Sequence, residues 1–136
     1  MNITVDANVL FACLIKDSNT RKLFFNPKFE LYTPSFMLTE LQKFFPIIKK
    51  KSGLSDSNFS NLLARILVQI TIVNDDELTP FIPAATSLIE YKKDLLYLAC
   101  ALYKDTKIWS NDKEFKKQNR IKIFTTEEML KESGHL

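Results

Sequence analysis

Five short apolar-rich runs punctuate the chain: NITVD (2–6), FELYT (29–33), QITIV (69–73), TKIWS (106–110) and IKIFT (121–125). They are rich in Ile, Val, Thr and aromatic residues, and most end at a polar residue or a proline, which is the signature of β-strands. Between them apolar residues recur at steps of three and four, the period of a helix with one buried stripe. Residues 8–15 and about 19–25 predict two short helices, the second capped by Asp17 or Ser18. Over 35–50 the stripe runs through Leu38, Leu41, Phe45 and Ile48. Lys49, Lys50 and Lys51, with Gly53 beyond them, make a favourable end for that helix. Ser55 or Asp56 opens another to about 68, with Phe59, Leu62, Leu63, Ile66 and Leu67 inward. Pro80 and Pro83 break a short helical stretch after 75. Leu95, Leu98, Ala99 and Leu102 carry a helix over 93–104, and a last one spans about 126–132.

Strands alternating with helices predict an α/β domain of three layers, α/β/α, around a central, mostly parallel five-stranded sheet. No repeat, low-complexity tract or linker interrupts the pattern, so residues 1–136 read as one domain. A chain of that length encloses a core without disulfides or a structural metal.

Composition narrows the function classes. Two glycines in the whole chain leave no Gly-rich phosphate loop, which removes P-loop and dinucleotide-binding readings. The longest apolar run, LLARILVQITIV, is interrupted by Arg65 and Gln69 and falls short of a membrane span. The first strand begins at residue 2, leaving no room for a signal peptide, so the expected location is the cytoplasm. Cys13 and Cys100 lie in apolar helical patterns and are expected to be free, buried thiols, too few for a cysteine metal site. His135, the single histidine, is expected to be exposed in the tail. The net charge of +3 does not by itself announce a nucleic-acid binder. If several acids gather in one pocket, however, the remaining surface is more basic, and a basic surface around an acidic hole suits a polyanion bridged by cations.

Ligands of open α/β sheets bind beyond the carboxyl ends of the strands, where the strand order reverses. Asp6 ends the first strand, Asp112 follows the fourth, and Asp75 and Asp76 follow the third. Glu40 lies on the helix after the second strand, and Asp94 opens the helix leading into the fourth. Asp6 and Asp112 form the strongest pair, because the first strand normally sits centrally with the strand after the switch beside it, and two carboxylates brought close in a half-buried cleft raise one pKa or demand a cation. With no histidine near them, the donor set suits a hard ion such as Mg²⁺ or Mn²⁺. Plainer roles stand beside these: Asp6 and Asp94 as helix caps or dipole partners, Glu40 as part of a solvated face, and Asp75 and Asp76 as a cap before Leu78. Lys49 to Lys51 read as a helix end, and Trp109 and most of the eleven Phe residues as core.

Four stretches in register, VDANVL, TPSFMLTELQKF, KKDLLYLACAL and IWSNDKEF, resemble the PIN-domain ribonucleases, the family that includes the VapC toxins. The resemblance covers essentially the whole chain, and its most specific parts are the acid of strand one with Asn two residues on, and the S/T-x-D after strand four. It implies a sheet order of 3-2-1-4-5, and an acidic cluster of Asp6, Glu40, Asp94 and Asp112 that is both catalytic and metal-binding. It also implies support for that cluster from Asn8 and Ser110, and leaves the role of Glu114 open. The implied activity is Mg²⁺- or Mn²⁺-dependent hydrolysis of RNA, with one or two ions, a metal-activated water and no side-chain nucleophile. The implied partners are an RNA substrate, an antitoxin protein and a second copy of the chain as a homodimer. Two other classes remain: a PIN-like module that binds without cutting, and a phospho-acceptor receiver domain. The receiver needs a second acid beside the first and a Lys after strand five, where this chain has TTEE.

Overall fold

In the computed structural model, which describes residues 1–89 and 94–134, all five expected strands form. They are β1 (Asn2–Val5), β2 (Glu30–Pro34), β3 (Ile70–Val73), β4 (Lys107–Trp109) and β5 (Ile123–Phe124). Every neighbouring pair is parallel and the order is β3-β2-β1-β4-β5, as the resemblance implied. That order differs from the 2-1-3-4-5 sheet of receiver domains and removes that alternative. β1 is central and buried on both faces: Ile3 and Val5 on one side and Thr4 on the other are fully buried, the Thr4 hydroxyl hydrogen-bonded to that of Thr106 at 2.6 Å. The Thr33 hydroxyl donates to the Val5 carbonyl at 3.0 Å, pinning the end of β1 to β2.

The described residues contain seven α-helices: α1 (Ala7–Ile15), α2 (Asn19–Phe24), α3 (Phe36–Ser52), α4 (Asp56–Gln69), α5 (Ile82–Thr86), α6 (Leu95–Lys104) and α7 (Thr126–Glu132). α1 packs on α2, α3 and α4, whereas α6 lies against β1, β2 and β4 with α5 beside it. This gives the expected three layers. Ser55 caps α4 by accepting from the Asn58 N–H at 3.1 Å. Gly53 closes α3 at φ +67°, a left-handed position that costs a residue with a Cβ about 1 kcal/mol. Ser18, not Asp17, stands at the start of α2, without a side-chain capping bond.

Two details differ from the expected helix stripes. Leu38 is exposed rather than inward, and Met37 takes the buried position, so the inner stripe of α3 is Met37, Leu41 and Ile48. Pro46 lies inside α3 without ending it. It is exposed, so the carbonyl left without its helical donor faces water. The prolines after β3 do not end the helical stretch as expected: a 3-10 segment over Asp75–Phe81 holds Pro80 and passes directly into α5, which carries Pro83 in its first turn, where no helical N–H is needed.

The core joins both layers, with Trp109, Tyr97, Phe24, Phe59 and Phe115 among its largest fully buried side chains. Cys13 and Cys100 are free and buried, and burial pushes their thiols up to about 12 and about 11. Both therefore stay protonated and unreactive, which matches the expectation. His135 lies outside the described residues. Among the described residues no helix is long and apolar enough to cross a membrane.

Candidate active site

The chain runs out from β1 to one edge of the sheet, returns across it, and resumes at β4 on the other side of β1. The carboxyl ends of β1 and β4 are therefore neighbours whose connections lead in opposite directions, and a crevice opens between them. The ladder pairs Val5 with Trp109, and the Asp6 N–H extends it by donating to the Trp109 carbonyl at 3.1 Å. On the far side the Ser110 N–H donates to the Phe124 carbonyl at 2.9 Å. Asp6 and Ser110 thus stand side by side, on backbone fixed by sheet bonds.

Ser110 is buried and connects the two strand-end acids. Its hydroxyl donates to Asp6 Oδ2 at 2.8 Å and accepts from the Asp112 N–H at 3.0 Å. Asp112 Oδ1 accepts from the Glu114 N–H at 3.0 Å, which turns the chain into a 3-10 segment over Lys113–Lys117. A clasp holds the same loop from outside. Asn111 exchanges two hydrogen bonds with Thr126, at 3.0 and 2.8 Å, and the Trp109 indole N–H donates to the Thr126 hydroxyl at 3.1 Å. Asp112 is set by these contacts rather than by a free loop.

Asp6, Asn8, Glu40, Asp94 and Asp112 line one cleft of about 450 Å³, so five of the six expected residues face the same space and Ser110 lies beneath them. Tyr97 completes its floor, and Phe36, Thr39, Lys43 and Phe44 of α3 form the remaining wall. Asp6 and Asp94 are buried, at 6% and 5% exposure, and Glu40 and Asp112 are half-buried. Asp6 occupies the N-cap position of α1, yet its side chain makes no capping hydrogen bond. The Asn8 N–H of the first turn acts on the carboxylate only after burial and the Ser110 hydroxyl, so capping is the lesser part of what holds it.

Burial raises the Asp6 carboxyl to about 6; the Ser110 hydroxyl and the Asn8 N–H partly oppose the rise, and the charges of Glu40 and Asp112 add to it. An acid pushed up in this way gains most from a nearby cation. The donor set around the cleft is all oxygen, which matches a hard divalent ion. Among the described residues, no three His, Cys, Asp or Glu side chains are gathered as a ready metal-binding group. The carboxylates ring the cleft instead of converging, so a Mg²⁺ ion there would keep several waters and take only one or two of them directly.

The remaining acids separate clearly from the cleft. Asp75 was expected to cap the segment before Leu78; it caps another helix. Its Oδ1 accepts from the Phe36 N–H at 3.0 Å, and its own N–H donates to the Ser35 hydroxyl at 3.0 Å, so Asp75 fixes the start of α3. Asn74 caps the 3-10 segment, accepting from the Asp76 N–H at 2.9 Å. Glu114 does not line the cleft and pairs with Lys117 at 2.8 Å.

Sequence reasoning missed Tyr97. Its hydroxyl donates to Glu40 Oε1 at 2.6 Å from a side chain only 1% exposed. Burial and that carboxylate push the phenol far above its ordinary value, so it stays a donor. The available signal was a tyrosine inside the apolar run LLYLACAL: a buried phenol needs a polar partner, and Glu40 is that partner. Lys43 was missed as well, because one lysine on an exposed helix face is unremarkable until the fold puts it on the wall of a cleft that four acids also line.

A sheet of this order with acids around its central crevice defines the class, and the chain belongs to the PIN domain family, whose model matches residues 4–133. PIN domains are in general nucleases that use divalent metal ions. Among solved structures, the fold is similar to a chain of VapBC2 from Rickettsia felis, a complex bound to a DNA fragment from its own promoter. That similarity has a TM-score of 0.67 at 20% identity and covers 92% of this chain and 98% of the other. No curated protein matches the sequence.

Proposed function

We propose that this protein is a metal-dependent endoribonuclease, and that it acts as the toxin of a toxin–antitoxin pair. The observation that carries the reading is the meeting of Asp6, Glu40, Asp94 and Asp112 around one cleft at the crevice between β1 and β4. Membership of the PIN domain family supports nuclease chemistry.

In this reading the four carboxylates hold Mg²⁺ or Mn²⁺, with water completing its shell. A bound ion of this kind lowers the pKa of a coordinated water and offsets the charge of a phosphodiester. The side chains act as holders and orienters. Ser110 fixes Asp6 through Oδ2, and through its link to the Asp112 N–H it sets the spacing of the two strand-end acids. Asn8 at the start of α1 adds a neutral polar group to the cleft wall. Lys43 places a cation where the phosphate backbone enters. Basic residues Lys113, Arg120 and Lys122 follow Asp112 closely in the chain and offer further phosphate contacts. No side chain serves as nucleophile.

The similarity to a VapBC complex supports an antitoxin as the second partner. An apolar groove of about 390 Å³ beside the cleft, lined by Phe11, Ile15, Phe44 and Ile47 among others, gives that antitoxin a landing place against the acids. A homodimer in the cytoplasm completes the proposal, with the exposed Val68 of α4 as apolar surface away from that groove.

A labelled single-stranded RNA incubated with the protein and Mn²⁺ tests the reading. Cleavage should appear with Mn²⁺ or Mg²⁺, vanish in EDTA, and fall to background in Asp112→Asn. One observation favours the rival module that binds without cutting: the absence, among the described residues, of three carboxylates already drawn together. That module predicts intact RNA with every dication.

A further inference from the structure

The hydrogen bond from Tyr97 to Glu40 does more than satisfy a buried phenol. Glu40 is carried on α3, where its neighbours Thr39 and Lys43 are exposed. A glutamate on such a helix face has three rotatable bonds and readily turns outward to water. Here its Oε1 is held at 2.6 Å by a hydroxyl from α6, 57 residues away in sequence. α6 is well anchored, since Tyr97, Leu98, Ala99, Cys100 and Ala101 are all buried against the sheet. Asp94 lies three residues before Tyr97 and faces the same cleft. One segment therefore presents one cleft acid directly and aims another across the gap.

We infer that Tyr97 is the positioning residue that turns the Glu40 carboxylate into the cleft and presents its second oxygen, Oε2, to a divalent cation there. This rests on the proposed reading of the cleft as a metal site. The phenol contributes no ligand of its own; it removes the outward orientations that the glutamate otherwise adopts. Outer partners of this kind are worth about tenfold to a hundredfold in metal affinity.

The test is calorimetric titration of Mn²⁺ into the metal-free chain and into Tyr97→Phe, Glu40→Gln and the double variant, without any RNA. Tyr97→Phe keeps the ring and its packing and deletes only the hydroxyl. The expected result is a Kd about tenfold or more weaker in Tyr97→Phe. The double variant should be no weaker than Glu40→Gln alone, because the tyrosine acts only through that carboxylate. Equal affinity in wild type and Tyr97→Phe, or full additivity in the double variant, overturns the inference and leaves the metal site standing. A Tyr97→Phe protein that melts far below wild type in EDTA also overturns it, since the hydroxyl is then a strut of the fold. A wild-type chain that takes up no Mn²⁺ overturns the metal reading itself, and this inference with it.

Discussion

Acids follow parallel strands both at the centre of this sheet and at one of its edges, and the two groups have opposite fates. After β1 and β4, Asp6 and Asp112 face a cleft, joined through Ser110. After β3, Asp75 and Asp76 sit at the sheet's edge, where Asp75 spends its carboxylate on the N-terminus of α3. Residue type does not separate the pairs, and neither does proximity to a strand. Position in the strand order does. At the reversal beside β1 the connections from neighbouring strands lead in opposite directions, so the carboxylates meet in the crevice between them. At the edge the next helix start lies within reach, and the acid becomes a cap.

The comparison predicts a division of effects, the largest at the crevice. Asp6→Asn should lower RNA cleavage at least a hundredfold (about the upper scale for merely supporting residues) while leaving the protein folded. If that variant cuts at the wild-type rate, the crevice is not the site. Ser110→Ala removes one partner from Asp6 and another from the Asp112 N–H. It should reduce cleavage about tenfold to a hundredfold and destabilise by about 1–2 kcal/mol, read from paired rate and urea-unfolding measurements.

The raised carboxyl of Asp6 gives a signature with a definite sign. Its pKa moves from 3.8 to about 6 on folding, so the folded chain holds this proton more tightly than the unfolded chain. The contribution is fully present below about pH 4 and is lost as pH rises through about 6. In EDTA the protein should lose on the order of 3 kcal/mol across that window, and Asp6→Asn should flatten the slope. Unfolding of both proteins against pH decides this, and parallel slopes would remove the buried acid from the account.

At the edge the effect is smaller and of another kind. Asp75→Ala should cost about 1 kcal/mol through the lost cap of α3 and leave the cleavage rate per folded molecule unchanged. A loss of activity beyond the folded fraction would mean that the edge acids belong to the site after all.

Much of this division was legible in the chain. Short runs rich in Ile, Val, Thr and aromatic residues located all five strands and placed Asp6 and Asp112 after theirs. The four stretches VDANVL, TPSFMLTELQKF, KKDLLYLACAL and IWSNDKEF, in register, carried the strand order. Local patterning could not show that Asp75 reaches Phe36, 39 residues back, because that contact exists only once β3 lies beside β2. The same holds for Tyr97 and Glu40, which meet only when α6 and α3 converge on the cleft. Leu38 and Met37 exchanged places because neighbouring positions near the edge of an apolar stripe differ by a rotation that one turn of sequence does not resolve.

The most direct test of the central claim is the anomalous difference map of crystals grown with Mn²⁺. The account predicts a peak in the cleft, about 2.1 Å from an oxygen of Asp6 or Asp112, with Glu40 and Asp94 reaching it directly or through water. A map with its manganese at Asp75 and Asp76, or with none in the crevice between β1 and β4, contradicts it.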